Sequence, residues 1–354
     1  MKAAFALGAR GLGRVWPNPA VGCVIVKDGR VLGRGWTQPG GRPHAEVVAL
    51  GQAGDAARGA TAYVTLEPCA HHGKTGPCSE ALVKAGVARV VGAITDPDER
   101  VTGKGYAMLK SAGIDTVEEC LADVAEDAHL GFFTRVRKGR PMLTLKLASS
   151  LDGRIATSSG DSRWITGPTA RRQVHGLRAN HDAVLIGSGT MQADDPDLRV
   201  RDMGAVHQPV RVVADRRLQM DPEGQLAKSA KEAPVWALHG PEAKRPDGLI
   251  NAGVELIETT VQGGALDIPA LMHALADKGL TRVFCEGGGT FAAALLTAGC
   301  VDRLVTFGAG VVIGAEGQPN FGALGMEKLS QAPRFRLDNL SDVDGDIRAD
   351  WRPA

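Results

Sequence analysis

The chain has 354 residues, 44% hydrophobic and 23% charged, with a formal net charge of +1. That length suits two domains of the usual ~100–200 residues, and the near-neutral charge gives no global field for nucleic acid or an anionic membrane. No run approaches the ~20 apolar residues of a membrane span. Met1 to Leu12 shows neither a sustained apolar stretch nor a small-residue cleavage site, so a reducing cytoplasm is expected.

Residues 1–14 read as a helix with Ala3, Ala4, Leu7 and Leu12 on one face. Pro17-Asn18-Pro19 then holds an extended turn that either presents the Asn18 amide or is a plain turn. Val21–Lys27 and Val31–Trp36 form a hairpin about Asp28-Gly29. A Gly/Pro loop, Gln38–Pro43, leads to a helix opened by His44. Thr61–Leu66 is a strand ending at Glu67-Pro68-Cys69, Cys78 opens a second helix through Ala85, and Val87–Ile94 is a strand followed by Asp96 and Asp98. This alternation predicts a three-layer α/β sandwich, completed by Ser111–Glu119 and Leu121–Val136.

Two stretches of this first half carry chemistry. His44-Ala45-Glu46 and the segment from Cys69 to Cys78 offer one imidazole, two thiols and a carboxylate. His44, Cys69 and Cys78 suit a tetrahedral zinc ion with its fourth position left for water. Glu46 is the spare proton carrier, as in deaminases with the pattern His-x-Glu followed by Pro-Cys-x-x-Cys. The spacing departs from that pattern, because Ala70 to Pro77 lie between the thiols. The plainer alternative is a structural zinc clip closed by His71 or His72. Both metal-bearing segments open helices, where the backbone dipole favours a thiolate. The other four of the six cysteines (Cys23, Cys120, Cys285 and Cys300) read as small buried hydrophobes, not a disulfide framework.

Arg135-Val136-Arg137-Lys138-Gly139-Arg140-Pro141 reads as a solvated linker between domains 1–139 and 140–354. Beyond it, Met142–Ser149 is a strand with one cation, Lys146, on the face of Thr144 and Ala148. Ser162 to Pro168 leads into a helix reaching about Asn180, and Asp182–Ile186 is a buried strand. Further strands are predicted at Val210–Asp215, Val235–His239, Val254–Ile257, Arg282–Cys285 and Arg303–Phe307, with helices at Asp267–Lys278 and Thr290–Ala298. Two glycine turns follow apolar strands: Gly187-Ser188-Gly189-Thr190 and Glu286-Gly287-Gly288-Gly289-Thr290. Neither fits the dinucleotide pattern G-x-G-x-x-G, and each alone reads equally as a tight strand-to-helix turn. Together with Trp164, Asp194 and the arginines 178, 199 and 201, they point to a nucleotide or sugar-phosphate pocket. Taken singly, those arginines are also consistent with surface charge.

These motifs jointly resemble the bifunctional deaminase–reductase family of riboflavin biosynthesis, nearly end to end. The likeness is carried by Pro17–Val26, His44–Val47 and Thr65–Cys78, whose long thiol spacing is characteristic of that family. In the second half it is carried by Leu145–Arg154, Trp164-Ile165-Thr166, Ala193–Pro196 and Glu286–Thr290. The resemblance implies a cytidine-deaminase-like domain followed by a dihydrofolate-reductase-like domain. It implies zinc-dependent loss of the 2-amino group from a diaminopyrimidinone ribosylamine phosphate. NADPH-dependent reduction of the ribosylamino group to ribitylamino would follow. On this reading His44, Cys69 and Cys78 bind zinc and Glu46 shuttles protons. Asn18, His71, Lys74 and Asp96 hold the first substrate. Ala148, Trp164, Thr190, Asp194, Gly288, Gly289, Thr290 and Phe291 line the NADPH site. Ser162, Arg178, Leu198, Arg201 and Glu286 hold the second substrate, and Lys146 and Asp194 are the reductase's catalytic candidates. Asp98 and Arg216 stand where relatives carry other residues and receive no role. The expected partners are small pyrimidine ribosyl phosphates, without nucleic acid or membrane, and a homo-oligomer is the expected assembly. A deaminase acting on bases in nucleic acid would need an aromatic strand groove, and aromatics are only 4%. A zinc-stabilised module that senses NADPH without turnover is the non-enzymatic rival.

Overall fold

A computed structural model describes residues 1–73, 76–204 and 207–354. The chain forms two compact units, Met1–Arg140 and Pro141–Ala354.

The first unit runs α1 (Lys2–Gly8), β1 (Gly22–Lys27), β2 (Arg30–Trp36), α2 (Ala45–Ala53), β3 (Thr61–Val64), α3 (Cys78–Ala85), β4 (Arg89–Gly92), α4 (Lys104–Ser111), β5 (Asp115–Val117), α5 (Ala122–Ala128) and α6 (Leu130–Lys138). Its sheet has the order β2-β1-β3-β4-β5. The β2-β1-β3 pairings are antiparallel and the β3-β4-β5 pairings parallel. Asp28 and Gly29, with φ of 49° and 73°, make the predicted hairpin turn.

Glycines set the layer spacing. A Cβ on Gly22 would strike the Ala4 carbonyl of α1, while one on Gly35 would strike the Ala45 carbonyl of α2. Gly35 pairs with Cys23, the residue after Gly22, so the two helices lie on opposite faces of β1. This is the predicted three-layer arrangement, with Cys23, Ile25, Ala45, Ala49, Ala62, Val64, Leu82 and Val90 in its core.

Two expectations need correction. The first helix does not reach residue 14: it ends at Gly8 and passes into a 3-10 turn, Ala9–Gly11. Glycines at 8, 11 and 13 each weaken a helix by about 1 kcal/mol. Nor is the cation run a linker. Arg135 to Lys138 form the last turn of α6, and Gly139 caps it in the left-handed region. Arg137 pairs with Glu126 and lies 4.7 Å over the Phe133 ring, so the charges complement the helix terminus and an acidic neighbour.

The second unit begins with β6 (Met142–Ser150), β7 (Arg154–Ala156), α7 (Pro168–Ala179), β8 (Ala183–Gly187), α8 (Ser188–Asp194), β9 (Val210–Ala214), α9 (Gln225–Lys228), β10 (Val235–His239) and α10 (Asp247–Ala252). It continues with β11 (Glu255–Glu258), β12 (Val261–Gln262), β13 (Ala265–Leu266), α11 (Ile268–Asp277), β14 (Arg282–Cys285), α12 (Gly289–Thr297), β15 (Arg303–Ala309), β16 (Gln318–Pro319), β17 (Phe335–Val343) and β18 (Asp346–Pro353). The main sheet has nine strands in the order β11-β10-β9-β8-β14-β6-β15-β18-β17. It is parallel from β11 to β15, and β18 and β17 close it as an antiparallel hairpin. Strands β8, β9 and β10 are buried along their whole length, as the continuous apolar runs of a covered parallel sheet require. The C-terminal hairpin, absent from the sequence expectation, is largely exposed on β17 and has no apolar run to announce it.

In this sheet β14 lies between β8 and β6. Cys285, the last residue of β14, is in register with Leu145, so Glu286 follows beside Lys146 in the middle of β6. The Gly187 turn ends β8 on the other side. The carboxyl ends of strands are where open α/β sheets form binding crevices. Among the described residues, no helix is long and apolar enough to cross a membrane.

Candidate active sites

In the first unit, His44 is the N-cap of α2 and Cys78 is the first residue of α3. Nδ1 of His44 is 3.3 Å from Cys78 Sγ and 3.6 Å from Cys69 Sγ, and all three ligand atoms lie within 4.8 Å of one another. Bond lengths of ~2.0 Å to nitrogen and ~2.3 Å to sulfur set tetrahedral edges near 3.6 Å, so these residues fit zinc. The Cys78 backbone N–H also donates to Cys69 Sγ at 3.3 Å. The thiol–thiol hydrogen bond from Cys78, helped by His44, holds the Cys69 thiol down to about 4, in keeping with a thiolate ligand. Neither His71 nor His72 joins the cluster among the described residues, and His72 instead meets Glu80 at 2.9 Å. The alternative of a zinc clip closed by either histidine therefore lacks its fourth ligand.

Glu46 lies in the first turn of α2 and is only 4% exposed. Burial pushes its carboxyl above the usual range, against the nearby His44, and its side chain shares a hydrogen bond with Cys78. A carboxyl raised in this way holds a proton more readily than an exposed one, as a general acid–base group requires. Asn18 Nδ2 donates to the Gly41 carbonyl at 2.9 Å, which fastens the Pro17–Pro19 turn to the loop leading to His44. Asp96 is buried and its carboxyl is pushed up to about 7, by burial first and then by Asp98, Glu67 and Cys69. Asp98 is turned away into a bidentate contact with Arg100, with Nε at 2.9 and 3.1 Å. Lys74 lies outside the described residues.

Sequence reasoning gave no role to Glu67, which organises this site. Its buried carboxylate accepts the backbone N–H groups of Asp96 at 3.2 Å, Gly103 at 3.0 Å and Gly105 at 2.9 Å. A carboxylate next to a predicted ligand at a strand end was the only signal for it.

In the second unit a cavity of about 490 Å³ is lined by Lys146, Ser162, Trp164, Arg178, Thr190, Asp194, Leu198, Arg201 and Glu286, nine of the residues named from the sequence. It also takes Arg163, Ile186, Asp195, Pro196, Asp197 and Gln225, which sequence reasoning left without a role. Gly288 is tied to this wall by its backbone N–H, 3.1 Å from Thr190 Oγ1. Ala148, Gly289, Thr290 and Phe291 are not on the wall. Phe291 packs on the two glycine turns, where a Cβ on Gly287 would crowd its ring at 2.6 Å. A Cβ on Gly289 would meet the Pro319 carbonyl at 2.6 Å, so that glycine permits close packing of α12 on the β16 segment.

The expected arginine trio divides. Arg178 grips Glu286 through Nε at 2.5 Å and Nη2 at 3.1 Å. Arg199 is taken up by Asp197 at 2.7 Å and Glu232 at 2.5 Å, so it leaves the pocket. Arg201 stays on the cavity wall. Burial lowers the Lys146 ammonium, opposed by Glu286 and aided by Arg178. Burial raises the Glu286 carboxyl, but Arg178 and Lys146 outweigh it and hold the group below its usual range. Trp164 is 70% exposed, with the Arg171 guanidinium 4.5 Å from its ring centroid.

The family of the cytidine and deoxycytidylate deaminase zinc-binding region matches residues 1–94, and the RibD C-terminal domain family matches residues 141–348. The chain is 41% identical to the riboflavin biosynthesis protein RibD of Escherichia coli strain K12, covering 98% of this chain and 96% of that one. This chain belongs to the RibD family. It is similar in structure to Acinetobacter baumannii RibD, with a TM-score of 0.90 and 40% identity over 100% of this chain and 97% of that one. A Thermotoga maritima diaminohydroxyphosphoribosylaminopyrimidine deaminase/5-amino-6-(5-phosphoribosylamino)uracil reductase gives a TM-score of 0.88 at 34% identity, over 100% and 97%. As a RibD-family protein the chain joins a cytidine-deaminase-like zinc domain to a reductase domain, and the fold expected from its motifs is borne out.

Proposed function

We propose that the chain carries out two successive steps of riboflavin biosynthesis. The first unit deaminates the diaminopyrimidinone ribosylamine phosphate. The second reduces the deaminated product's ribosylamino group to ribitylamino. The observation that carries this reading is the open three-ligand cluster of His44, Cys69 and Cys78 beside the buried carboxyl of Glu46.

His44, Cys69 and Cys78 would hold zinc, and a bound zinc ion lowers the pKa of a water toward 7, so that a nucleophile is available at neutral pH. Glu46 receives the proton and passes it on to the ring and the departing amine. Asp96, held near pH 7 in its own titration, donates to or accepts from the pyrimidine edge. Asn18 keeps its Oδ1 for substrate while Nδ2 holds the loop, and His71 and Lys74 complete the proposed contacts.

NADPH would supply the hydride in the second unit. Trp164, Thr190, Asp194 and the Gly288 turn are proposed to line its site, together with Ala148 and the start of α12. Arg201, Ser162 and Leu198 take the substrate's phosphate end. Lys146, poised between Glu286 and Arg178, faces the sugar and donates to its oxygen. A site that needs two thiolates suits a reducing cytoplasm.

The test is incubation of the purified chain with the diaminopyrimidinone substrate, with and without NADPH, followed by mass analysis. Deaminated product alone is expected without NADPH, and the ribityl product with it. Unchanged substrate from zinc-loaded protein overturns the reading.

A further inference from the structure

Of the three arginines on the reductase cavity wall, Arg163, Arg178 and Arg201, the last two are held in different ways. Arg178 is committed to Glu286, and its Nη1 also donates to the Arg199 carbonyl at 3.1 Å. Arg201 has no ion pair among the described residues, so its charge is open to a ligand. Its segment is fixed through the backbone. Val200 N–H donates to Gln208 Oε1 at 2.7 Å, and Arg201 N–H donates to Nδ1 of His175 at 3.2 Å.

His175 lies on α7 one turn before Arg178 and is half-buried. An Nδ1 that accepts belongs to a neutral ring with its proton on Nε2. The charged groups around it are Arg178 from its own helix, Arg201 and Asp202 from the facing segment, and Glu286 from the end of β14. Burial, followed by the two guanidiniums, keeps the ring's titration below its usual range. Protonation would put a third cation beside Arg178 and Arg201. It would also turn the Nδ1 acceptor into a donor facing the Arg201 N–H.

We propose that His175 is a positioning residue of the reductase site, whose neutral imidazole anchors the segment bearing Arg201 so that the guanidinium meets the substrate's phosphate. This rests on the reading of the cavity as the site of a phosphate-bearing pyrimidine. His175 acts through Arg201 and touches neither substrate nor cofactor.

The experiment follows NADPH oxidation by the full chain with the deaminated substrate, from about pH 5.5 to 8.5, the range in which an imidazole titrates. Ammonia release from the first substrate serves as the same-chain control. Arg201→Ala should raise KM roughly 10–100-fold, the loss of a charge-assisted contact, and His175→Ala roughly 3–10-fold with kcat little changed. In His175→Asn, Oδ1 stands where Nδ1 does and cannot be protonated. It should restore KM to near the wild-type value and abolish the extra rise in KM that the wild type shows toward acid. An unchanged KM in His175→Ala, while Arg201→Ala raises it, overturns the positioning role alone. An unchanged KM in Arg201→Ala overturns the phosphate reading and the proposal with it. A wild-type KM that falls toward acid relative to His175→Asn makes His175 a phosphate-binding cation, and the positioning role is then wrong.

Discussion

The carboxylate of Glu67 accepts the backbone N–H of Asp96 across the mouth of the deaminase unit, at 3.2 Å. The same carboxylate takes the Gly103 and Gly105 N–H groups, so it joins the Cys69 segment, the Asp96 loop and the start of α4. A Cβ on Gly105 would strike the Pro68 carbonyl, so the helix start rests directly on the ligand loop. Glu67→Gln turns one acceptor oxygen into a donor that faces N–H groups. Hydrogen bonds to a charged group contribute ~1.5–3 kcal/mol. Ammonia release is therefore expected to fall by about 10-fold or more, with NADPH oxidation on deaminated substrate retained. Equal loss of both activities would place the effect on folding as a whole.

Glu46→Gln is expected to separate the two activities. The amide keeps the side chain's size but carries no proton between water and amine, and general acid–base groups contribute about 10²–10⁴ in rate. Zinc should stay bound, because Glu46 is not part of the ligand cluster. The Cys69→Ala, Cys78→Ala double variant should lose zinc. Metal analysis with an ammonia assay checks both. Wild-type ammonia release by Glu46→Gln would remove that residue from the mechanism.

What the sequence made legible follows from the range of the forces involved. The zinc ligands and Glu46 sit on two short motifs, and each motif opens a helix, so local spacing brought them within reach of inference. The cavity was legible as a set of motifs but not as a shape. Arg199 looks like Arg178 and Arg201 in the sequence, and only the fold gives it Asp197 and Glu232 as partners. Glu67 and His175 act by accepting backbone N–H groups that are 26 to 38 residues away, which no local pattern encodes. The C-terminal hairpin was missed for another reason: β17 is an edge strand with mostly exposed residues, so it has no apolar alternation to read.

His129 predicts an acid-sensitive term in the first unit. Its Nε2 donates to the Thr65 carbonyl at 2.9 Å, and burial lowers its titration from 6.5 to about 4. A depressed folded-state value means the neutral ring stabilises the fold fully above pH 6.5. That contribution is lost as pH falls from 6.5 toward 4, roughly 3 kcal/mol in all. His129→Gln keeps a donor for Thr65 and does not titrate. The wild type should therefore lose more stability than His129→Gln between pH 6.5 and 4 in denaturant titrations. Parallel curves for the two would show that His129 is protonated in the fold.

Two glycines near the same helix should respond to alanine with opposite signs. Gly35 faces α2, and its Cβ would meet the Ala45 carbonyl and the Ala49 nitrogen, both backbone atoms that cannot rotate away. Helix α2 must then move off the sheet and carry Glu46 with it. Overpacking of this kind costs about 1–3 kcal/mol, and a displacement near 1 Å at the reacting groups can cost ~10²-fold in rate. Gly51 lies within α2, and a Cβ added there would find nothing within 4 Å, so Gly51→Ala should stabilise by about 0.5–1 kcal/mol through helix propensity. Thermal unfolding read alongside ammonia release distinguishes the pair: Gly35→Ala should lower both the transition and the rate, while Gly51→Ala raises the transition and leaves the rate unchanged. If Gly35→Ala were as stable and active as the wild type, the direct contact of α2 with β2 would not be what sets Glu46 in place.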